Sequence, residues 1–149
     1  MPSLVHVTDD RGMVFIIESI MLLGIEKIDR EHAMLFSIIN RINETLETHI
    51  YTEDEIQQLF SEFICYTLQH FETEAKLFEK SKYPYAADHI AKHEQILAKI
   101  MMMRCKKTKI IEILKFVVEW INYHIMIEDK KYADYQLALD KGSWNGELG

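Results

Sequence analysis

Between positions 25 and 141 this chain has no glycine and only one proline, Pro84. A β-sandwich or barrel of this size needs turn residues roughly every 8–12 positions, and they are missing. Helices need such residues only where they stop. The chain is therefore expected to be all-α, and the one proline marks a boundary between helices.

Hydrophobic periodicity divides the glycine-free stretch into four amphipathic segments. The first is expected to start at Asp29, a good N-cap, with a stripe of Ile28, His32, Leu35, Phe36, Ile39, Ile42 and Leu46, ending near His49. The second opens on the capping-box pattern Thr52-x-x-Glu55. Its stripe runs through Ile56, Phe60, Phe63, Thr67, His70, Phe71, Glu74 and Phe78. It stops near Ser81, because Tyr83 precedes a proline and avoids the α region. The third covers about 85–104, with Ala86, His89, Ile90, His93, Ile96, Leu97, Ile100 and Met103 on one face. After Lys106-Lys107-Thr108-Lys109, where Thr108 is a candidate cap, the fourth carries Ile110, Ile113, Leu114, Val117, Trp120, Ile121, His124 and Ile127. Four such helices with short connections predict an antiparallel up-down-up-down four-helix bundle. The 149 residues read as one domain. An N-terminal arm occupies 1–28 and is expected to lie across the bundle. The bundle itself spans about 29–129. The segment 130–149 holds a short helix, packed on the bundle end, and a tail.

The histidines set the function. His32, His70, His89, His93 and His124 all fall on the apolar stripes, whereas His6 and His49 do not. His70-x-x-x-Glu74 and His89-x-x-x-His93 each put two donors about 40° apart on one helical face. A lone inward histidine is ordinarily a satisfied core residue. Here every helix supplies at least one, and the second adds a carboxylate. Leaving a buried polar group unpaired costs roughly 1–3 kcal/mol. Six such groups would consume most of the ~5–15 kcal/mol that holds a domain together. A transition metal would satisfy all of them together. Asp129 is a seventh candidate, five residues after His124 and so about 140° away on an ideal helix. It reaches the same site only if the helix widens locally, as in a π turn. Five imidazoles and two carboxylates exceed one ion's needs and suit two.

Other features mainly exclude. A net charge of −7 and the lack of a basic stripe argue against nucleic acid. The most apolar window, residues 13–25, is interrupted by Glu18 and is too short to span a bilayer. No basic-then-apolar leader opens the chain, so a cytoplasmic protein without membrane insertion is expected. Cys65 and Cys105 are too few for a disulfide framework and read as buried or half-buried thiols. Met101-Met102-Met103, at a helix end, reads as core plus fraying surface rather than a soft-metal site.

Over about 22–135 the sequence resembles the hemerythrins, particularly single-domain bacterial ones. The matching pieces are Gly24-Ile25-x-x-Ile28-Asp29-x-x-His32-x-x-Leu35-Phe36, His70-Phe71-x-x-Glu74, Tyr83-Pro84 followed by His89-x-x-x-His93, and Trp120-Ile121-x-x-His124-Ile125-x-x-x-Asp129-x-x-Tyr132. The resemblance implies two iron ions joined by an oxo or hydroxo bridge. His89, His93 and His124 would hold one. His32 and His70 would hold the other, leaving it a free position for dioxygen. Glu74 and Asp129 would bridge the pair. Leu35, Phe71, Trp120, Ile121 and Ile125 would line the oxygen pocket, where an apolar wall excludes water. There are departures, among them loops between the ligand helices longer than in the shortest members. Glu18-Ser19-Ile20-Met21 occupies the region where many bacterial members have an arm tryptophan, and Ile121 stands where leucine is common.

The function implied is reversible dioxygen binding, for carriage, storage, sensing, or delivery to an oxygen-consuming partner protein. A catalytic role is not expected. The alternatives are a di-iron enzyme acting on peroxide or nitric oxide, and an iron-responsive regulatory protein. The sequence sets no oligomeric state.

Overall fold

The computed structural model describes residues 22–142, and every regular element in them is helical. α1 spans Glu26–Thr48, α2 Glu53–Ser81, α3 Ala86–Cys105 and α4 Ile110–His124. A π turn, Ile125–Asp129, follows α4 and leads directly into α5, Lys130–Asp140. The connections at 49–52, 82–85 and 106–109 are only four residues long, so each helix doubles back on the last. α1 packs against α2 and α4, and α3 against the same two, which closes the four-helix ring. The expected bundle is thus present. Of the arm predicted over 1–28, residues 1–21 lie outside the described residues, as does the tail after 142, and 26–28 belong to α1.

The chain turns without glycine by placing His49, Lys82 and Lys107 in the left-handed region, at φ of 55°, 54° and 58°. His49 and Lys82 are the residues closing α1 and α2, and their N–H groups donate to Leu46 O and Glu79 O. Thr52 caps α2 as predicted, its Oγ1 accepting from Glu55 N at 3.0 Å. Thr108 does not cap α4. Lys109 occupies that position, and no side chain bonds the helix start.

α1 starts earlier than expected. Its N-cap is Ile25, and Asp29 sits inside the first turn. The Asp29 carboxylate instead reaches back to accept from Leu23 N at 2.8 Å and Gly24 N at 3.1 Å. It thus fixes how the chain enters the bundle. Gly24 makes that entry at φ 89°, a conformation costly to other residues.

One end of the bundle interior is apolar, built from Ile42, Ile56, Phe60, Ile100, Ile113 and Leu114. The end where α1 and α3 begin and α2 and α4 finish is polar inside. Cys65 and Cys105 are exposed, contrary to expectation. Cys65 falls on the outer face of α2, and Cys105 is the last residue of α3. Met101 and Met102 are exposed and Met103 is half-buried. No described helix is long and apolar enough to cross a membrane.

Candidate metal centre

Antiparallel packing brings together positions early in α1 and α3 and late in α2 and α4. His32 comes from the second turn of α1, and His89 and His93 from the first two turns of α3. His70 and Glu74 lie in the second half of α2, and His124 ends α4. All six side chains, and Asp129, are buried.

Asp129 arrives by way of the π turn. The wider turn adds one residue to the helical circuit, and it changes which faces point inward. Ile127 was expected on the inner stripe but is 47% exposed, whereas Ile125 is 2% and Asp129 1% exposed. The widening also carries the helix on without a break. α5 is therefore a continuation of α4 and not a separate helix laid over the bundle end. Within the π turn, Glu128 Oε1 accepts from Lys92 Nζ on α3 at 2.6 Å, and Lys92 also donates to Asp88 Oδ2 at 2.7 Å, tying this segment to α3.

The donor atoms form two sets that share both carboxylates. In the first, His124 Nε2 lies 3.0 Å from His89 Nε2 and 3.1 Å from His93 Nε2. Asp129 Oδ1 is 3.1 Å from His89 Nε2 and 3.2 Å from His124 Nε2. Glu74 Oε1 is 3.1 Å from His93 Nε2 and 3.4 Å from His89 Nε2. In the second, Asp129 Oδ2 is 3.0 Å from His32 Nε2, and Glu74 Oε2 is 3.5 Å from His70 Nε2. Each carboxylate therefore turns one oxygen toward each set.

Hydrogen bonds account for only part of this crowding. Despite the short distances, Glu74 Oε1 and Oε2, Asp129 Oδ1 and His32 Nε2 have no partner in hydrogen-bond geometry. His124 Nε2 lies within hydrogen-bond distance of both His89 Nε2 and His93 Nε2, and its one ring proton cannot serve both. Donors bound about 2.1 Å from one ion at right angles sit about 3 Å apart, close to the spacing seen. A cation in each set would satisfy atoms that are otherwise buried without partners.

Electrostatics point the same way. Burial and Asp129 push the Glu74 carboxyl up, but the imidazoles, His70 foremost, outweigh both and hold it at about 2. Burial likewise opposes ionisation of Asp129, yet His124, His32 and His89 keep it well below the usual carboxylate range. Burial disfavours a charged His89, and Asp129 and Glu74 overcome this to raise it to about 9. For His93 burial prevails and lowers it. The pocket holds two fixed negative charges and draws positive charge to itself.

Aromatic rings set the imidazole planes. Phe71 stacks on His93 at 3.7 Å between ring centres and Trp120 on His124 at 4.3 Å. Phe78 meets His89 edge-on at 4.7 Å. Beside the cluster is a cavity of about 30 Å³, walled by His32, His70, His124 and Asp129. Leu35, Phe71, Trp120, Ile121 and Ile125 line it too, with Phe63, Ile96, Ile100 and Val117 completing the apolar wall. Thr67 also faces this space, but its hydroxyl donates to Phe63 O at 2.8 Å.

Sequence reasoning missed the residues around the donors. Glu31 Oε1 lies 2.7 Å from His70 Nδ1, and Glu31 Oε2 accepts from Thr73 Oγ1 at 3.0 Å. Both residues flank donors, Glu31 before His32 and Thr73 after His70, but they pass for ordinary polar positions. Lys92 and Glu128 carry no signal beyond their charges.

Residues 23–135 match the family model described as Hemerythrin HHE cation binding domain. A bacteriohemerythrin of Clostridium acetobutylicum is 33% identical over 120 residues, covering 75% of this chain and 93% of that protein. One from Stenotrophomonas maltophilia is 26% identical, covering 75% and 74%. One from Campylobacter jejuni is 24% identical, covering 79% and 92%. No solved structure matches the chain.

Proposed function

Because this chain belongs to the hemerythrin family, we propose that its buried cluster holds two iron ions and, through them, binds dioxygen reversibly. His89, His93 and His124 would hold one ion and His32 with His70 the other, with Glu74 and Asp129 bridging. The observation that carries the reading is the sharing: each carboxylate presents one oxygen to each donor set. An iron pair supplies the two electrons that dioxygen binding draws on and recovers them on release.

The chain's own residues do the rest. The set containing His32 and His70 has fewer imidazoles, and both of these line the cavity. A water needs roughly 10–15 Å³ measured with a water-sized probe. About 30 Å³ therefore suits a molecule of two heavy atoms and not an organic substrate. A mostly apolar wall disfavours the entry of water. Beyond the cluster and the Trp120 indole the cavity lining is apolar except for Thr67, whose hydroxyl is committed to Phe63 O. These features support a carrier rather than a catalyst.

Iron per chain and the visible spectrum test this. Dithionite-reduced protein, freed of excess reductant, should contain two irons, gain a visible charge-transfer band in air, and lose it under vacuum. A rapid one-way passage to a stable ferric spectrum would overturn reversible binding in favour of an enzyme or an iron-responsive regulator.

A further inference from the structure

Among the described donors, His70 has a distinctive outer contact. Its Nδ1 faces the Glu31 carboxylate at 2.7 Å, and that carboxylate is braced by the Thr73 hydroxyl at 3.0 Å. His32 and His89 leave Nδ1 without a hydrogen-bond partner. The Glu31 side chain is 15% exposed, so its charge is only lightly screened. A carboxylate on the outer nitrogen of a metal-bound histidine fixes the tautomer, aims the ring and makes the inner nitrogen a stronger donor. We infer that Glu31 is a positioning residue for one half of the site: it holds His70 Nε2 inward and adds negative charge to the His32/His70 metal position and not to the other.

The inference rests on the two-metal reading. Added negative charge favours the more oxidised ion, so Glu31 would lower the potential of that position. The asymmetry falls on the half of the site that faces the cavity, where it would affect how readily electrons are lent to a ligand.

Glu31→Gln separates charge from geometry, because the amide oxygen still accepts from His70 Nδ1–H. After anaerobic loading with ferrous iron, the variant should keep two irons per chain. Its midpoint potential should rise by about 59 mV or more, a tenfold change in a one-electron equilibrium. Glu31→Ala, which removes the acceptor as well, should fall toward one iron per chain. A Gln variant with full iron at the wild-type potential would overturn this inference alone. Wild-type protein that takes up no metal would sink both it and the two-metal reading. Should the Gln variant not fold, proton NMR of zinc-loaded wild-type protein decides. The His70 Nδ1–H should resonate farther downfield than any other histidine ring N–H. A His70 signal at or upfield of the others would overturn the proposal.

Discussion

At the residue scale, both Glu74 oxygens and His32 Nε2 are buried without a hydrogen-bond partner, as a cation site requires. His93 is held among them, with Nε2 3.1 Å from both His124 Nε2 and Glu74 Oε1 and Phe71 stacked on its ring. His93→Ala should lower iron content and bring the melting temperature of the iron-loaded protein down with it, since metal binding and folding are coupled. Unchanged iron by metal analysis would count against the ligand assignment. The five inward histidines and Glu74 were legible from helical spacing alone. Glu31 and Thr73 were not, because a polar residue on the shoulder of a helix looks the same whether it faces solvent or a neighbouring imidazole.

At the element scale the π turn is decisive. Asp129 lies five positions after His124, and the sequence announces only that a regular helix would misplace the carboxylate. It does not announce where the extra residue is absorbed, so Ile127 was assigned inward and is exposed instead. The rotated face is testable by paired substitutions and thermal melts. Ile127→Gln should change stability by no more than about 0.5 kcal/mol. Ile125→Ala should cost about 2–5 kcal/mol, as truncation of a buried aliphatic does. Comparable losses from both would mean a regular helix through this segment. The start of α1 was misjudged for a related reason. Asp29 has the composition of an N-cap, but its carboxylate serves Leu23 and Gly24 in the preceding chain and not the helix's own N–H groups. Helix ends at Thr52 and before Pro84 were legible because a hydroxyl cap and the steric restriction on the residue before proline act locally.

At the scale of the whole molecule, packing polar donors into one end of the bundle ties stability to whatever positive charge occupies it. In metal-free protein a proton on His89 fills part of that role. Its folded value, raised to about 9 from 6.5, means stabilisation present in full below about 6.5 and lost as pH rises through 9. Glu74, lowered to about 2 from 4.5, contributes above about 4.5 and loses its contribution as pH falls toward 2. Metal-free protein should therefore melt at lower temperature at pH 9.5 than at pH 6.5, and metal-loaded protein should lose much less over that interval. Equal losses in both forms would mean that His89 is not held by the two carboxylates. Acid should release the metal as imidazoles and carboxylates take up protons, and iron still bound near pH 4 would argue against a histidine-dominated site. The bundle itself was legible because its periodicity is global and repeated in every helix, whereas the cavity beside the cluster exists only once four faces meet. The most direct test of the central claim is an anomalous-scattering map at the iron edge from crystals of iron-loaded protein. The account predicts two peaks per chain, one among the Nε2 atoms of His89, His93 and His124 and one beside His32 and His70, with Glu74 and Asp129 between them. A single peak, or none with the imidazoles bonded to one another, would contradict it.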